Sequence, residues 1–271
     1  MRSYTCAVVK TRETAELDAV VVRLRAAGCV FAEDEAGVLL DAAPDSAALE
    51  GMVARREAGE PLEVIVGWVE FRGRRLAVAG GTFVPRRRTE LLVQLAVGLA
   101  RPGDIVVELC CGVAAVAAAI AAEVPDADVY AADIDPAEVA VARRNLPPAS
   151  GAERVFEGDL FDALPVALRG RVGILVANAP YVPTAEIALM PPEARDHEPP
   201  VALDGGADGL DVQRRITAAA REWLAPGGTL LIETSVRQAP ATAEAMRAGG
   251  LEARIVHEDE LDATAVVGTA G

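Results

Sequence analysis

The chain has 271 residues, 52% of them hydrophobic but only 4% aromatic, with a formal net charge of −15. That length fits a main domain with a smaller companion, and an apolar content carried by alanine and valine gives a sizeable core of closely packed helices. The charge excludes an extended nucleic-acid footprint, which needs clustered Lys and Arg, and suits a basic protein partner better. Arg86-Arg87-Arg88 is the one local basic patch that stands out. No apolar run reaches the roughly 18–20 residues of a membrane span; the richest, residues 113–122, is mostly alanine. Residues 1–10 lack a basic region followed by an apolar core, so the chain reads as cytoplasmic. Cys6, Cys29, Cys110 and Cys111 form no C-x-x-C, and His197 and His257 stand apart, so neither a disulfide framework nor a metal site is expected.

In chain order, residues 13–57 are helical in pattern. Leu17, Val20, Val21 and Leu24 recur at three- and four-residue spacing, and Gly28 stops that helix. Pro44-Asp45-Ser46 resembles a turn and N-cap before Leu49, Met52 and Val53. Residues 63–71 and 74–78 are β-rich runs around Arg72-Gly73 and read as a hairpin. The implied division is a helical domain at 1–60, a hairpin linker at 61–84 and a main domain at 85–271. In the last, apolar strands at 105–109, 129–132, 154–156, 172–177 and 229–233 alternate with helices at 113–122, 136–145 and 210–224. This predicts an α/β fold with a mostly parallel sheet covered on both faces. Residues 251–256 and 263–267 then suggest an antiparallel edge pair.

Ligands of such sheets bind beyond the carboxyl ends of the strands, where strand order reverses. The first strand there runs into Glu108-Leu109-Cys110-Cys111-Gly112-Val113-Ala114, a turn of small residues that lets a ligand approach backbone N–H groups. Small residues also serve strand–helix packing, so this turn is a weak signal alone. The second strand ends at Asp133, before Ile134-Asp135-Pro136. A carboxylate in that position can accept from both hydroxyls of a ribose. Asp135 is the better cap for the following helix, which leaves Asp133 with no structural role. Asp159, in Gly158-Asp159-Leu160, either accepts from an adenine amino group or shapes a turn. Asn178-Ala179-Pro180-Tyr181 follows the fourth strand. An amide oxygen and a neighbouring backbone carbonyl can accept both hydrogens of a planar –NH2, Tyr181 can pack on its face, and the nitrogen lone pair is then directed at an electrophile.

These motifs resemble the HemK/PrmC family of protein-(glutamine amide-nitrogen) methyltransferases, which modify peptide-chain release factors. The resemblance spans residues 61–267. It is carried by Gly67-Trp68-Val69-Glu70-Phe71, Phe83-Val84-Pro85-Arg86-x-x-Thr89-Glu90, Asn178-Ala179-Pro180-Tyr181 and Glu198-Pro199-x-x-Ala202-Leu203-x-Gly205-Gly206-x-Asp208-Gly209-Leu210. It implies a Rossmann-like, seven-strand class I methyltransferase sheet behind a helical domain that helps recognise the release factor. It also implies S-adenosylmethionine as cofactor, with S-adenosylhomocysteine as product. The implied contacts are Phe83, Glu108, the turn Cys110, Cys111, Gly112, Val113 and Ala114, then Asp133 with Ile134, Asp159 with Leu160, and Asn178. The substrate amide would meet Asn178, Ala179, Pro180 and Tyr181, without a metal.

Three departures from the family pattern point to a paralogue of the release-factor enzyme. Ala179 stands where the family has a proline. Cys110 and Ala114 stand for glycines, with Glu108 for the usual Asp. The family's acidic residue after Pro-Arg-Pro is replaced, giving Arg86-Arg87-Arg88. The leading expectation is glutamine methylation of a release factor by a monomer. A small-molecule N-methyltransferase with a planar nitrogen acceptor is the second, and a non-catalytic binding paralogue is the third. A nucleic-acid substrate is the least expected.

Overall fold

A computed structural model describes residues 3–148 and 153–271, with side chains from residue 15 onward. Helix α1 (Ser3–Ala26) is followed by α2 (Ala32–Ala42), α3 (Ser46–Glu57) and α4 (Leu62–Val66). The expected stop at Gly28 is a left-handed residue, φ 94°, and the expected cap at Asp45 accepts the Ala48 N–H at 2.8 Å. Val20, Leu24, Leu49 and Val53 lie in one buried cluster with Leu39 and Ile65, so the helical periodicity marks the face that is buried. The cysteines at 29, 110 and 111 are free thiols; the side chain of Cys6 lies outside the described residues.

Residues 63–66 correct the expected strand: they form α4. A short run of Val and Ile reads equally as strand or buried helix by periodicity. Here Gly67, at φ 82°, closes the turn by donating its N–H to the Glu63 carbonyl at 2.8 Å. The hairpin is the shorter pair β1 (Trp68–Phe71) and β2 (Arg74–Ala77). Its loop residues Arg72 and Gly73 both have positive φ, the two-residue turn whose twist matches the flanking strands. Residues up to Trp68, with Pro191–His197, form one compact unit; Val69–Met190 and Glu198–Gly271 form a second.

The second unit continues with α5 (Glu90–Leu99), β3 (Ile105–Leu109), α6 (Ala115–Glu123), β4 (Asp128–Asp133), α7 (Pro136–Asn145), β5 (Val155–Glu157) and β6 (Val172–Ala177). In chain order there follow α8 (Pro192–His197, in the first unit), α9 (Pro200–Leu203), α10 (Asp211–Trp223), β7 (Leu224–Glu233), α11 (Ala239–Ala248), β8 (Leu251–Glu258) and β9 (Ala263–Ala270). Strand order is β5-β4-β3-β6-β7-β9-β8. β3 pairs in parallel with β4 and β6, β4 with β5 and β6 with β7, while β9 runs antiparallel between β7 and β8. This is the Rossmann-like seven-strand sheet expected, with its antiparallel edge pair. β7 begins earlier than its apolar run and β9 extends further. All five residues of β3 are buried, as continuous apolar strands require when both sheet faces are covered. From β3 the chain moves outward to β4 and β5, then returns to place β6 on the other side of β3. The switch point therefore opens at the carboxyl ends of β3, β4 and β6.

Asn145, the last residue of α7, ties the hairpin to this sheet. Its Oδ1 accepts the Ala77 N–H at 2.8 Å, and its Nδ2 donates to the carbonyls of Ala77 and Val113, each at 2.9 Å. Replacing it by alanine strands these backbone groups. We expect Asn145→Ala to lower unfolding stability by about 2 kcal/mol, read from the denaturant midpoint; a loss below about 0.5 kcal/mol would mean water serves the same groups equally well.

Candidate active site

A cavity at the switch point is lined by Phe83, Glu108, Cys110, Cys111, Gly112, Val113, Asp133, Ile134, Asp159, Leu160 and the four residues Asn178, Ala179, Pro180 and Tyr181. Its wall also includes Arg86, Arg88, Thr89, Glu138 and Glu198. Ala114 is fully buried and does not line it.

The turn after β3 is shaped from within. The Glu108 Oε2 accepts the Ala117 N–H at 2.7 Å, satisfying a donor in the first turn of α6. Burial, then the repulsion of Asp133, lifts the Glu108 carboxyl to about 8, against the opposing bond from Ala117. Cys110, Gly112 and Ala114 all adopt left-handed backbone, φ 52°, 50° and 59°. Burial also pushes the Cys110 and Cys111 thiols up, so neither is a ready nucleophile.

Asp133 does have a structural role, contrary to expectation. Its Oδ2 accepts the Gly112 N–H at 2.7 Å and its Oδ1 accepts the Asp135 N–H at 2.9 Å, tying the turn to the end of β4. Each oxygen keeps a further lone pair that a hydroxyl can use. Asp135 is the cap of α7, accepting the Ala137 N–H at 2.8 Å. Asp159 pairs with Arg215 at 2.7 Å, while Ile134, 51% exposed, and Leu160 give the cavity two aliphatic surfaces.

At the other end, Asn178 Nδ2 donates to Thr89 Oγ1 at 3.3 Å. The Tyr181 hydroxyl lies 3.5 Å from Glu233 Oε1; burial, then the nearby Glu233 carboxylate, pushes it up to about 12. Arg88 donates through Nε to the same Glu233 oxygen at 3.1 Å, and its guanidinium stands 5.9 Å above the Tyr181 ring. Arg86 meets Glu198 Oε1 at 2.5 Å and stacks on Phe83. The arginine run is thus not the open basic patch its sequence suggests: Arg86 and Arg88 are bound to buried carboxylates.

The segment 198–210 braces this end. Val182 N–H donates to the Leu203 carbonyl at 3.0 Å and Gly205 N–H to the Val182 carbonyl at 2.9 Å. A Cβ at Gly205 would stand 2.7 Å from the Pro180 carbonyl oxygen, and one at Gly209, φ 79°, only 2.3 Å from that of Tyr181. Gln238 Nε2 completes the clamp by donating to the Tyr181 and Asp208 carbonyls at 2.9 and 3.0 Å. The glycine pattern in this motif is a close backbone packing requirement.

Sequence reasoning missed Glu138 and Glu233. Glu138 sits in the first turn of α7, where an acid ordinarily faces water and complements the helix dipole. Here it is only 2% exposed, and its Oε1 accepts the Phe83 N–H at 2.5 Å. Burial, opposed by that bond, lifts its carboxyl to about 8. Glu233 ends the fifth expected strand, and a strand-end acid beyond an apolar run was the only signal for it.

Residues 88–190 match the family model described as "Methyltransferase small domain". A crystal structure of a methyltransferase from Pyrococcus furiosus shares the fold, with TM-score 0.55 at 16% identity over 74% of this chain and 90% of that one. A release factor glutamine methyltransferase of Geobacter sulfurreducens is 40% identical over 71% of this chain and 67% of its own length. One from Bifidobacterium longum is 34% identical over 91% and 90%. The chain belongs to the release factor glutamine methyltransferase family. It is also 38% identical, over 73% of this chain and 69% of the relative, to a 4-amino-L-phenylalanine/4-methylamino-L-phenylalanine methyltransferase of Streptomyces pristinaespiralis.

Against the family turn, Ala114 keeps the left-handed backbone of a glycine at a cost of about 1 kcal/mol. Ala114→Gly should therefore raise unfolding stability by about 1 kcal/mol, measured by chemical denaturation; a destabilised variant would mean that the buried methyl contributes more than the strain removes. The buried acid gives a pH signature. Glu108 has its carboxyl raised from 4.5 to about 8, so the folded chain holds a proton that the unfolded chain has lost. Its contribution is fully present below pH 4.5 and is lost as pH rises to about 8. Glu108→Gln should flatten the fall in melting temperature between pH 5 and 8, and an unchanged slope would remove Glu108 as its source.

Proposed function

We propose that the chain transfers a methyl group from S-adenosylmethionine to the side-chain amide nitrogen of a glutamine in a peptide chain release factor. The observation that carries this reading is the placement of Asn178, oriented by Thr89 at the end of β6, in the same cavity as Gly112 and Asp133. The residues present fit the cofactor. Asp133 has lone pairs for a ribose, Ile134 and Leu160 provide apolar surfaces for a base, and the backbone of the turn keeps the left-handed form despite Cys110 and Ala114. That retained backbone favours a catalytic chain over a binding paralogue.

S-adenosylmethionine supplies an electrophilic methyl on its sulfonium. The protein has to make a poor amide nucleophile reactive by orientation. With Asn178 Nδ2 held by Thr89, its Oδ1 is the side-chain atom left to accept an amide hydrogen, and the Ala179 carbonyl is the second acceptor. Both become stronger partners as the nitrogen loses electron density, so their contribution grows toward the transition state. Arg88 and Glu233 fix the Tyr181 ring that packs against the amide plane.

A second reading, a small-molecule nitrogen acceptor, is supported by the Streptomyces pristinaespiralis relative, whose name gives an amino acid substrate. Radiolabelled cofactor offered to a release factor and to a small-molecule cell extract separates the two; label only in the extract overturns the first. Asn178→Ala should lower turnover at least a hundredfold while leaving cofactor affinity nearly unchanged. Activity within about threefold of the unaltered chain, under 1 kcal/mol of barrier, would reduce Asn178 to a turn former.

A further inference from the structure

Glu138 is buried among groups that a structural role alone does not use up. One oxygen, Oε1, accepts the Phe83 N–H at 2.5 Å. The other, Oε2, is buried, and no donor among the described residues reaches it. Glu138 is one of the residues lining the cavity, and Oε2 lies 3.6 Å from the position a Cβ would take on Gly112. Gly112 is the residue whose N–H is held by Asp133, so the two carboxyl groups flank one turn residue. A buried acceptor left without a donor costs the fold its desolvation, and burial together with the Asp133 charge holds this carboxyl high. A hydroxyl donor from the cavity would relieve both. Asp133 meanwhile already spends one acceptor site of each oxygen on the backbone.

We propose that Glu138 is a second carboxyl contact for the ribose diol of the cofactor, its Oε2 accepting a hydroxyl hydrogen beside Asp133. The assignment rests on the cofactor reading given above. A diol shared by two acids is gripped from two sides, and the second grip comes from a helix, not from the strand end.

The test is calorimetric binding of S-adenosylhomocysteine and of its 2′,3′-dideoxyribose counterpart to the unaltered chain, Glu138→Ala and Glu138→Gln. Glutamine can keep the acceptor for Phe83 and so carries the result if the alanine variant does not fold. The unaltered chain should prefer the intact ribose, and each variant should lose about tenfold of that preference, the size of one hydrogen bond. An unchanged preference in a folded variant, whatever its affinity, would show Glu138 to be purely structural and overturn the assignment while leaving the cofactor reading intact. Failure of the unaltered chain to bind either compound would overturn both.

Discussion

Where β6 ends, the chain must carry Asn178, Ala179, Pro180 and Tyr181 into the cavity without a sheet ladder to satisfy their backbone, and buried peptide groups have to find partners somewhere. Residues 198–210 are the answer. They lie so close that Gly205 and Gly209 have no room for a side chain, and they exchange hydrogen bonds with Val182 on both sides. The same segment starts with Glu198, which receives the Val84 N–H and Arg86. One stretch of chain thus sets the position of two walls of the cavity. Orientation of a weak nucleophile tolerates little slack, and this packing is where the rigidity comes from.

Buried acids also stand in the cavity wall or, for Glu233, behind its residues Arg88 and Tyr181, each committed to a neighbour. Glu108 holds the start of α6, Glu138 the Phe83 backbone, Glu198 the segment before α5, and Glu233 the pair Arg88 and Tyr181. Charges out of water are tolerated when paired or when protonated. Glu198 and Glu233 take the first course through arginines. Glu108 and Glu138, with backbone donors only, take the second and titrate near 8. The arginines at 86 and 88, unusual as sequence, make sense as partners of these acids.

Much of the sheet was legible because its strands are short, apolar and bounded by turn residues, a pattern that survives without any knowledge of neighbours. Residues 63–66 were not, since four Val, Ile and acidic residues carry no period, and only the left-handed Gly67 reveals the helix end. Among the cavity residues at strand ends, Asp133, Asp159 and Asn178 are legible from topology joined to side-chain chemistry, whereas Glu108, Ile134 and Leu160 enter only through the family resemblance. Asp133 was found for an incomplete reason: its ties to Gly112 and Asp135 depend on a turn folding back over β4, which spacing does not encode. Glu138 was invisible because an acid in the first turn of a helix is ordinary, and its burial depends on the distant Phe83.

The grouping of Pro191–His197 with the N-terminal helices has a consequence for descent and for engineering. Within that unit Arg56 meets Glu35 at 2.6 Å and Glu193 at 3.5 Å, so a residue encoded late in the gene completes a cluster begun early. The helical unit is therefore discontinuous, and no single recombination crossover can replace it whole. A chimera joined near residue 68 would marry foreign helices to a native 191–197 insert, and the grafted Arg56 position would face an acid selected for another partner. Inheritance of this fold by exchange of parts requires the insert to travel with the helices.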